Sequence, residues 1–472
     1  MDIRHVVVLM LENRSFDCML GRLYPKSDAF DGLSGVESNI WHKPDGDQTQ
    51  ILVWNDPNVT AQSLTIPDPD PGELFSDIHM QIYGLDETPA SNPGPPAMGG
   101  FVDNYMRQKA QEPAPDPRAV MHYFTPEQVP VISTLARAFA VSDRWHASAP
   151  CQTWPNRFFV HTGTAGGWVN NSPTHFPYLM TTVFDRLDGV GQSWRLYFHD
   201  VPQASTLTRL WDKAPAHFRP FDPDFVHDAG SGMLPAYSFI EPRYFADPLT
   251  RRMPNDEHPP HNVAYGEALI AAVYNAVRAG PGWNETLLVI TYDEHGGCYD
   301  HVVPPAATPP GGTYPDGFDF DRFGVRVPAV IVSPYVRAGA VIRPAGATPF
   351  DHTSITATLR KLHGFQPLTA RDAAAPDLLE ALGLEPANPG PPSVAAPAVA
   401  PAAEEVARVA ARPPNDLQRS LGAMAAVLPT IGADSGAHVE RLARVPDPAP
   451  SHATADAAVA DARAHVKAFL GR

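Results

Sequence analysis

Two pairs of hard oxygen donors stand out in this chain: Glu12-Asn13, just beyond the aliphatic run Val6-Val7-Val8-Leu9-Met10, and Asp293-Glu294, just beyond Thr286 to Tyr292 (TLLVITY). Carboxylate and amide oxygens at two strand ends suit one divalent cation, with Mg, Ca or Mn fitting better than a soft metal. A single acidic pair at a strand end is ordinarily a solvated loop. Two pairs on matching strand ends favour a shared site. The next piece is Thr153 in Pro150-Cys151-Gln152-Thr153-Trp154-Pro155-Asn156-Arg157, placed where a helix N-cap is expected, with Pro155 in the first turn. Such a hydroxyl either caps the helix or, held against a cation, attacks phosphorus while the helix N-terminus receives the phosphate oxygens. Histidines beside acids supply proton carriers: His258 and His261 in NDEHPPHN, His301 in YDEHGGCYDHV and His352 in FDHTS. Asp300 and His301 are expected to support the ligands from behind.

These residues need rigid elements to bring them together. The run from His5 to Met10 reads as a buried parallel strand opening into a loop, and TLLVITY repeats that design. Weaker strands are expected at Phe139 to Val141, Tyr237 to Ile240 and Val327 to Val332. A helix is expected over Gly266 to Arg278, where Leu269, Ile270, Val273 and Val277 share one face before Pro281-Gly282. Alternating strands and helices predict an α/β fold: a mostly parallel central sheet flanked by helices, with ligands beyond the carboxyl ends of its strands. The Pro-rich stretch Pro67 to Pro117 reads as a loop-rich insertion forming a rim or lid over the sheet. Composition shifts to Ala and Pro after Leu384, dividing the chain into a catalytic domain (1–384) and an Ala/Pro-rich linker with a helical C-terminal extension (385–472).

The bulk composition sets limits. With 472 residues, 43% hydrophobic, the chain can bury a large core. The 53 Pro and 34 Gly imply long loops between elements, and loops are where sites are built. A formal charge of -17 opposes nucleic acid as a partner and allows at most transient contact with an anionic membrane surface. It also means that a phosphate must be drawn in by local features. Cys18, Cys151 and Cys298 are far apart and form no CxxC pair, against a thiolate metal site. No signal peptide or transmembrane run is evident, so a cytoplasmic location is expected of the sequence as it stands.

Five blocks in order carry a family resemblance: LENRSFDCMLG (Leu11 to Gly21), SDRWHASAPCQTWPNRFFVHTGTA (Ser142 to Ala165), NDEHPPHNVAYGE (Asn255 to Glu267), TYDEHGGCYDHVVPP (Thr291 to Pro305) and DHTSI (Asp351 to Ile355). They resemble the phosphoesterase family of bacterial phospholipases C, plant non-specific phospholipase C and related acid phosphatases, with an alkaline-phosphatase-like fold. The resemblance implies one divalent metal ion (Mg, Ca, Mn or Zn) on Glu12, Asn13, Thr153, Asp293 and Glu294. Thr153 would be the nucleophile and His258 the second catalytic residue. Asn13, His199, His261 and His352 would face phosphate or substrate, and Asp351 would join Asp300 and His301 in support. The implied reaction is phospholipase C-type cleavage of a phospholipid or other small phosphate ester through a phosphothreonine. The alternatives are an acid phosphatase acting on phosphomonoesters and a non-enzymatic scaffold. One departure stands out: Glu73 occupies a position where relatives often have histidine, with His79 nearby as a substitute. For acyl chains, Phe101, Tyr105, Phe245, Phe318, Phe320 and Phe323 are the candidate groove.

Overall fold

The computed structural model describes residues 1–84, 95–108, 114–430 and 452–471. Ten strands occur among them: β1 His5–Leu11, β2 Ser38–His42, β3 Gln48–Leu52, β4 Ala140–Val141, β5 Trp194–Phe198, β6 Phe218–Pro220, β7 Tyr237–Ile240, β8 Thr286–Tyr292, β9 Ala329–Val332 and β10 Ala340–Val341. Eight form one sheet in the order β10-β4-β9-β8-β1-β7-β5-β6, and β2 and β3 make a separate hairpin. The sheet is parallel except at β9, which runs antiparallel to both β8 and β4. The mixed α/β, mostly parallel architecture expected of the sequence is therefore observed.

Register brings the two donor pairs together. β1 lies between β7 and β8, and its pairing with β8 runs in step from His5 opposite Thr286 to Leu11 opposite Tyr292. One residue further along each strand, Glu12 stands beside Asp293, on the loops that leave the carboxyl edge. The two strands are aliphatic along almost their whole length because helices cover both faces; all but His5 of their residues are buried. The helix Val263–Ala279 packs against this pair, starting where Asn262 Oδ1 accepts from the Ala264 amide at 2.9 Å.

The region beyond residue 384 is built onto the sheet domain. Asn388 Nδ2 donates to the carbonyls of Ala138 and Val336, and Tyr274 Oη donates to the Pro391 carbonyl. Leu417, Leu421 and Met424 of the helix Asp416–Ala426 and Val459, Val466 and Phe469 of the helix Ala455–Leu470 belong to the same hydrophobic core as β1 and β8. A third tail helix, Ala403–Ala410, buries Val406 and Ala410 against Ala246 and Met253. The described part of the insertion contains the helices Phe75–Tyr83 and Phe101–Arg107; its remaining segments fall outside the described residues. Phe101, Tyr105, Phe245, Phe318, Phe320 and Phe323 are all buried: Phe101 and Tyr105 on the helix Phe101–Arg107, Phe245 in the main core, and Phe318 and Phe320 packed with Phe75 and Phe159, so they do not line a groove. This corrects the expected groove: these rings supply apolar surface that the insertion and the loops bury against themselves and the core.

Candidate active site

The helix Thr153–Thr162 begins one residue earlier than expected, with Gln152 as its N-cap and Thr153 as its first helical residue. Capping is done from elsewhere: Asn171 Oδ1 accepts from the Trp154 amide at 2.7 Å, and Gln152 Oε1 accepts from the Asn171 amide at 2.9 Å. Asn156 reaches back to the Ala149 amide and the Cys151 carbonyl, which fixes the turn ahead of Thr153. The Thr153 hydroxyl is thereby released from capping. It is buried and lies 3.4 Å from both Glu12 Oε2 and Asn13 Oδ1.

Glu12, Asn13, Asp293 and Glu294 are all fully buried. Asn13 adopts a left-handed backbone (φ 52), a strained conformation for a side-chain-bearing residue, with its amide donating to Asp293 Oδ1 at 3.1 Å. Gly296 (φ 60) lets the second loop close over it; a Cβ there would stand 2.1 Å from the Asn13 carbonyl oxygen. Arg157, one turn into the helix, places Nη2 2.6 Å from Glu12 Oε1 and Nε 3.6 Å from Asp293 Oδ2. Gln203 Nε2 also donates to Glu12 Oε1 at 2.7 Å, and its backbone amide is held by Glu241, whose carboxyl burial lifts to about 7.

The oxygens around Thr153 suit a cation. Burial, and then the neighbouring Asp293, push the Glu12 carboxyl well up against the pull of Arg157. Burial with Glu73 and Asp293 does the same to Glu294. Asp293 Oδ2 and Glu294 Oε1 are buried without a hydrogen-bond partner. Carboxylates crowded this closely, with oxygens left over, fit a hard divalent ion that would neutralise them. The match is looser than the sequence implied. Among the described residues, the triplets whose ligand atoms lie within 4.8 Å of one another are Asp70–Glu73–His258 and Asp17–Asp300–His301. Glu12, Asp293 and Glu294 do not form such a triplet. Arg157 stands between Glu12 and Asp293, and Asp293 Oδ1 is turned to the Asn13 and Glu294 amides.

His258 faces this centre from the other side. Its Nε2 lies 3.5 Å from Glu73 Oε1, its Nδ1 lies 2.6 Å from the Pro259 carbonyl oxygen and 3.7 Å from Asp70 Oδ1, and Asn13 Nδ2 donates to Glu73 Oε1 at 2.7 Å. Burial works against its charge, but Asp70 and Glu73 outweigh burial and hold the imidazolium well above the ordinary histidine range. Glu257 before it is left-handed (φ 72), and Arg14 Nε donates to the Glu257 carbonyl at 2.8 Å, tying this loop to the one that bears Asn13.

The other expected residues are placed differently. His352 Nε2 donates to the Asp293 carbonyl at 2.6 Å and its Nδ1 receives Trp145 Nε1–H at 3.4 Å, so one ring nitrogen supports the Asp293 backbone, the other is taken by an indole, and none is left for phosphate. His261 pairs with Asp256 Oδ1 at 2.7 Å at the edge of a cavity. His199 stacks on Phe221 with Nδ1 3.0 Å from the Glu241 carbonyl, and burial lowers it to about 3. His79 lies among Phe75, Tyr83, Phe318 and Arg322, and no contact joins it to Thr153 or His258. Asp351 accepts from Ser148 Oγ at 2.8 Å, bracing the turn before Thr153. Asp300 and His301 belong to a cluster around Arg326. Arg157 and Gln203 were not foreseen. Arg157 lay in plain view on the face of the helix that carries Thr153, whereas nothing near Gln203 marked it.

A model of the phosphoesterase family matches residues 3–366. The chain belongs to that family. It is 41% identical over 391 residues to non-specific phospholipase C1 of Arabidopsis thaliana, spanning 79% of this chain and 69% of that one. With phospholipase C A of Mycobacterium tuberculosis (strain ATCC 25618 / H37Rv), identity is 29% over 406 residues, 77% of this chain and 73% of the other. Among solved structures, a protein in the alkaline phosphatase superfamily from Vibrio parahaemolyticus superposes with a TM-score of 0.31 at 13% identity, covering 52% of this chain and 64% of that one. The family match covers every residue of the site, from Glu12 to His352.

Proposed function

We propose that this phosphoesterase is a metal-dependent hydrolase of phosphodiesters, a phospholipase C in reaction type, with Thr153 as nucleophile. The observation that carries this reading is the buried Thr153 hydroxyl, which caps nothing and lies 3.4 Å from Glu12 Oε2 and Asn13 Oδ1, in a site where Asp293 Oδ2 and Glu294 Oε1 carry no hydrogen bond. Glu12, Asn13, Thr153, Asp293 and Glu294 would hold the ion, whose contribution when bound is to lower the pKa of the hydroxyl and offset charge on the phosphate oxygens. The chain's own groups do the rest. Thr153 Oγ1, as the alkoxide, attacks phosphorus in line from the first residue of its helix, where the helix dipole favours the phosphate charge. His258, held as an imidazolium by Asp70 and by Glu73 3.5 Å from its Nε2, gives its proton to the departing alcohol. Water then hydrolyses the phosphothreonine, and the phosphorylated head group leaves. Arg157 and Gln203 keep Glu12 oriented throughout.

The relatives named as phospholipases C favour a phospholipid substrate. No helix among the described residues is long and apolar enough to cross a membrane, so a lipid would be met at a surface. The test assays a phospholipid, a choline phosphodiester and a chromogenic phosphomonoester with and without chelator, and acid-quenches single turnovers for mass spectrometry. Chelator-sensitive diester cleavage with a phosphate on the peptide that carries Thr153 is expected. Phosphomonoester turnover alone would establish the acid phosphatase alternative instead, and metal-bound protein inert towards all three would leave a scaffold.

A further inference from the structure

Two of the three cysteines are brought together by the same register that brings the donor pairs together. Cys18 lies in the short helix Phe16–Leu20 that follows Glu12-Asn13, and Cys298 lies in the turn that follows Asp293-Glu294, its amide donating to the His295 carbonyl at 3.0 Å. Ser15 Oγ locks the two segments side by side: it donates to the Tyr299 carbonyl at 2.6 Å and accepts from the Cys18 amide at 3.1 Å. The Asp17 amide donates to Asp300 Oδ2 at 3.2 Å. Both segments also rest on one stretch of chain, where the Phe124 amide donates to the Cys18 carbonyl at 2.7 Å and the Tyr299 amide donates to the Val120 carbonyl at 3.0 Å. These contacts, at or next to each cysteine, hold the pair in place.

Cys18 and Cys298 are both 1% exposed, and their thiols are hydrogen-bonded to each other. Arg14 lies beside both. The bond from Cys298, with the charge of Arg14, outweighs burial and holds the Cys18 thiol below its ordinary range, while burial pushes Cys298 up. One partner is the readier thiolate and the other a thiol already in contact with it, the arrangement of an attacking and a resolving cysteine. Cys151 is the internal control. It is buried in a separate cluster with Phe159 and Phe320, and burial pushes its thiol well up.

We infer that Cys18 and Cys298 form a two-electron redox pair whose disulfide staples the loop after β1 to the loop after β8, the loops that carry Glu12-Asn13 and Asp293-Glu294. With hydrogen peroxide as oxidant, the Cys18 thiolate attacks one peroxide oxygen and the O–O bond breaks. Cys18 is left as a sulfenic acid, and the departing hydroxide takes up the proton that Cys18 released. The Cys298 sulfur then attacks the Cys18 sulfur, the S–O bond breaks, and a second water leaves with the Cys298 proton. Two thiols and one peroxide thus give one disulfide and two waters, and a dithiol reverses the bond. Burial keeps bulk solvent from both thiols, so the bond forms when the loops open. A covalent tie between segments so far apart in sequence restricts the unfolded chain strongly.

The test treats the full chain with hydrogen peroxide, once under native conditions and once in guanidinium just below the unfolding transition, where loops open reversibly. Thiols are then counted and peptides mapped by mass spectrometry. The expected product is a Cys18–Cys298 cross-link, two hydrogens lighter than the separate peptides and reversed by dithiothreitol, with Cys151 unpaired. It should form faster in guanidinium than without it. The cross-linked chain should melt about 3–6 °C above the reduced one. That gain should be absent from Cys18→Ala and Cys298→Ala and kept in Cys151→Ala. Thiols that all survive both treatments, or a cross-link made through Cys151, overturn the pairing. A Cys18–Cys298 cross-link that melts no higher than the reduced chain overturns the staple. The mapping uses the parent chain, so it decides the pairing even where an alanine variant fails to fold. No readout passes through turnover, so the result is independent of the phosphodiesterase reading.

Discussion

Two acidic clusters flank the same pair of loops, and their contrast separates a reactive site from a structural one. In the first, Glu12, next to Thr153, shares one guanidinium, Arg157, with Asp293, and buried oxygens of Asp293 and Glu294 are left without a hydrogen bond. In the second, Arg326 is fully buried and donates to Asp17 Oδ1 and Asp300 Oδ1, each at 3.0 Å, and to the Asp31 and Asp143 carbonyls. His301 adds hydrogen bonds to Asp17 and Asp31, and the Phe16 ring lies 4.5 Å from the Arg326 guanidinium carbon. By residue type, the second cluster would also hold a metal. Its carboxylates already have a cation, so it ties the loop after β1 to the loop after β8 and leaves chemistry to its neighbour.

The largest effect should come from the reactive cluster. Thr153→Val removes the proposed nucleophile and keeps the shape, so kcat should fall by about 10⁴-fold or more. Because the hydroxyl caps nothing, the unfolding midpoint should hardly move. Residual activity within tenfold of the parent would show that Thr153 is not the nucleophile. The mirror experiment is Arg326→Met. It strands Asp17 and Asp300 in the interior and should destabilise the fold by about 3–5 kcal/mol in denaturant unfolding. A loss below about 1 kcal/mol would mean that the cluster is not held together by this arginine.

This contrast also shows what could be read from the sequence. The aliphatic runs of β1 and β8 and the donors after them were legible, because a buried parallel strand has few other ways to be written. The family blocks then made Thr153 and His258 visible. What could not be read is satisfaction: whether a carboxylate finds a partner depends on residues remote in the chain. Asp300 and His301 looked like supports for the metal ligands, but Arg326 and Asp17 claim them. His352 looked like a phosphate contact, but Trp145 and the Asp293 carbonyl occupy both its nitrogens. The tail looked like a loosely attached extension because Ala and Pro carry no chemistry, yet Gln418 Nε2 donates to the Tyr244 carbonyl at 2.7 Å and the tail forms one side of the cavity. The strands β5 and β6 are short and lie at one end of the sheet, where the hydrophobic pattern is weakest.

Metal addition sharpens the comparison at an intermediate scale. A divalent ion at about one hundred times its Kd should raise the stability of the parent by about 2.7 kcal/mol if it binds only the folded chain. Asp293→Asn should abolish most of that gain. Arg326→Met should retain it despite starting from a less stable fold, provided the unfolding is compared with and without ion in each variant. Equal loss of the gain in both variants would mean that the two clusters form a single site.

The smallest expected effect belongs to the structural cluster and is set by pH. Burial opposes the charge on His301, but hydrogen bonds to Asp17 and Asp31 and the nearby Asp300 hold it at about 9, above its ordinary value of 6.5. A histidine with a raised folded pKa stabilises fully below the unfolded value and loses that contribution as pH climbs through the folded one. Asp300, lifted to about 6 by burial, has completed its titration below most of that window. Lys26 Nζ, 2.8 Å from His301 Nε2, works against the imidazolium, so the loss between pH 6.5 and 9.5 should be about 1–2 kcal/mol rather than the full linkage value. The reading to look for is a falling unfolding free energy across that interval in the parent and a flatter profile in His301→Gln. A slope that survives the substitution would move the titrating group elsewhere. A slope that vanishes while metal affinity stays constant would separate the structural cluster from the reactive one by its proton alone.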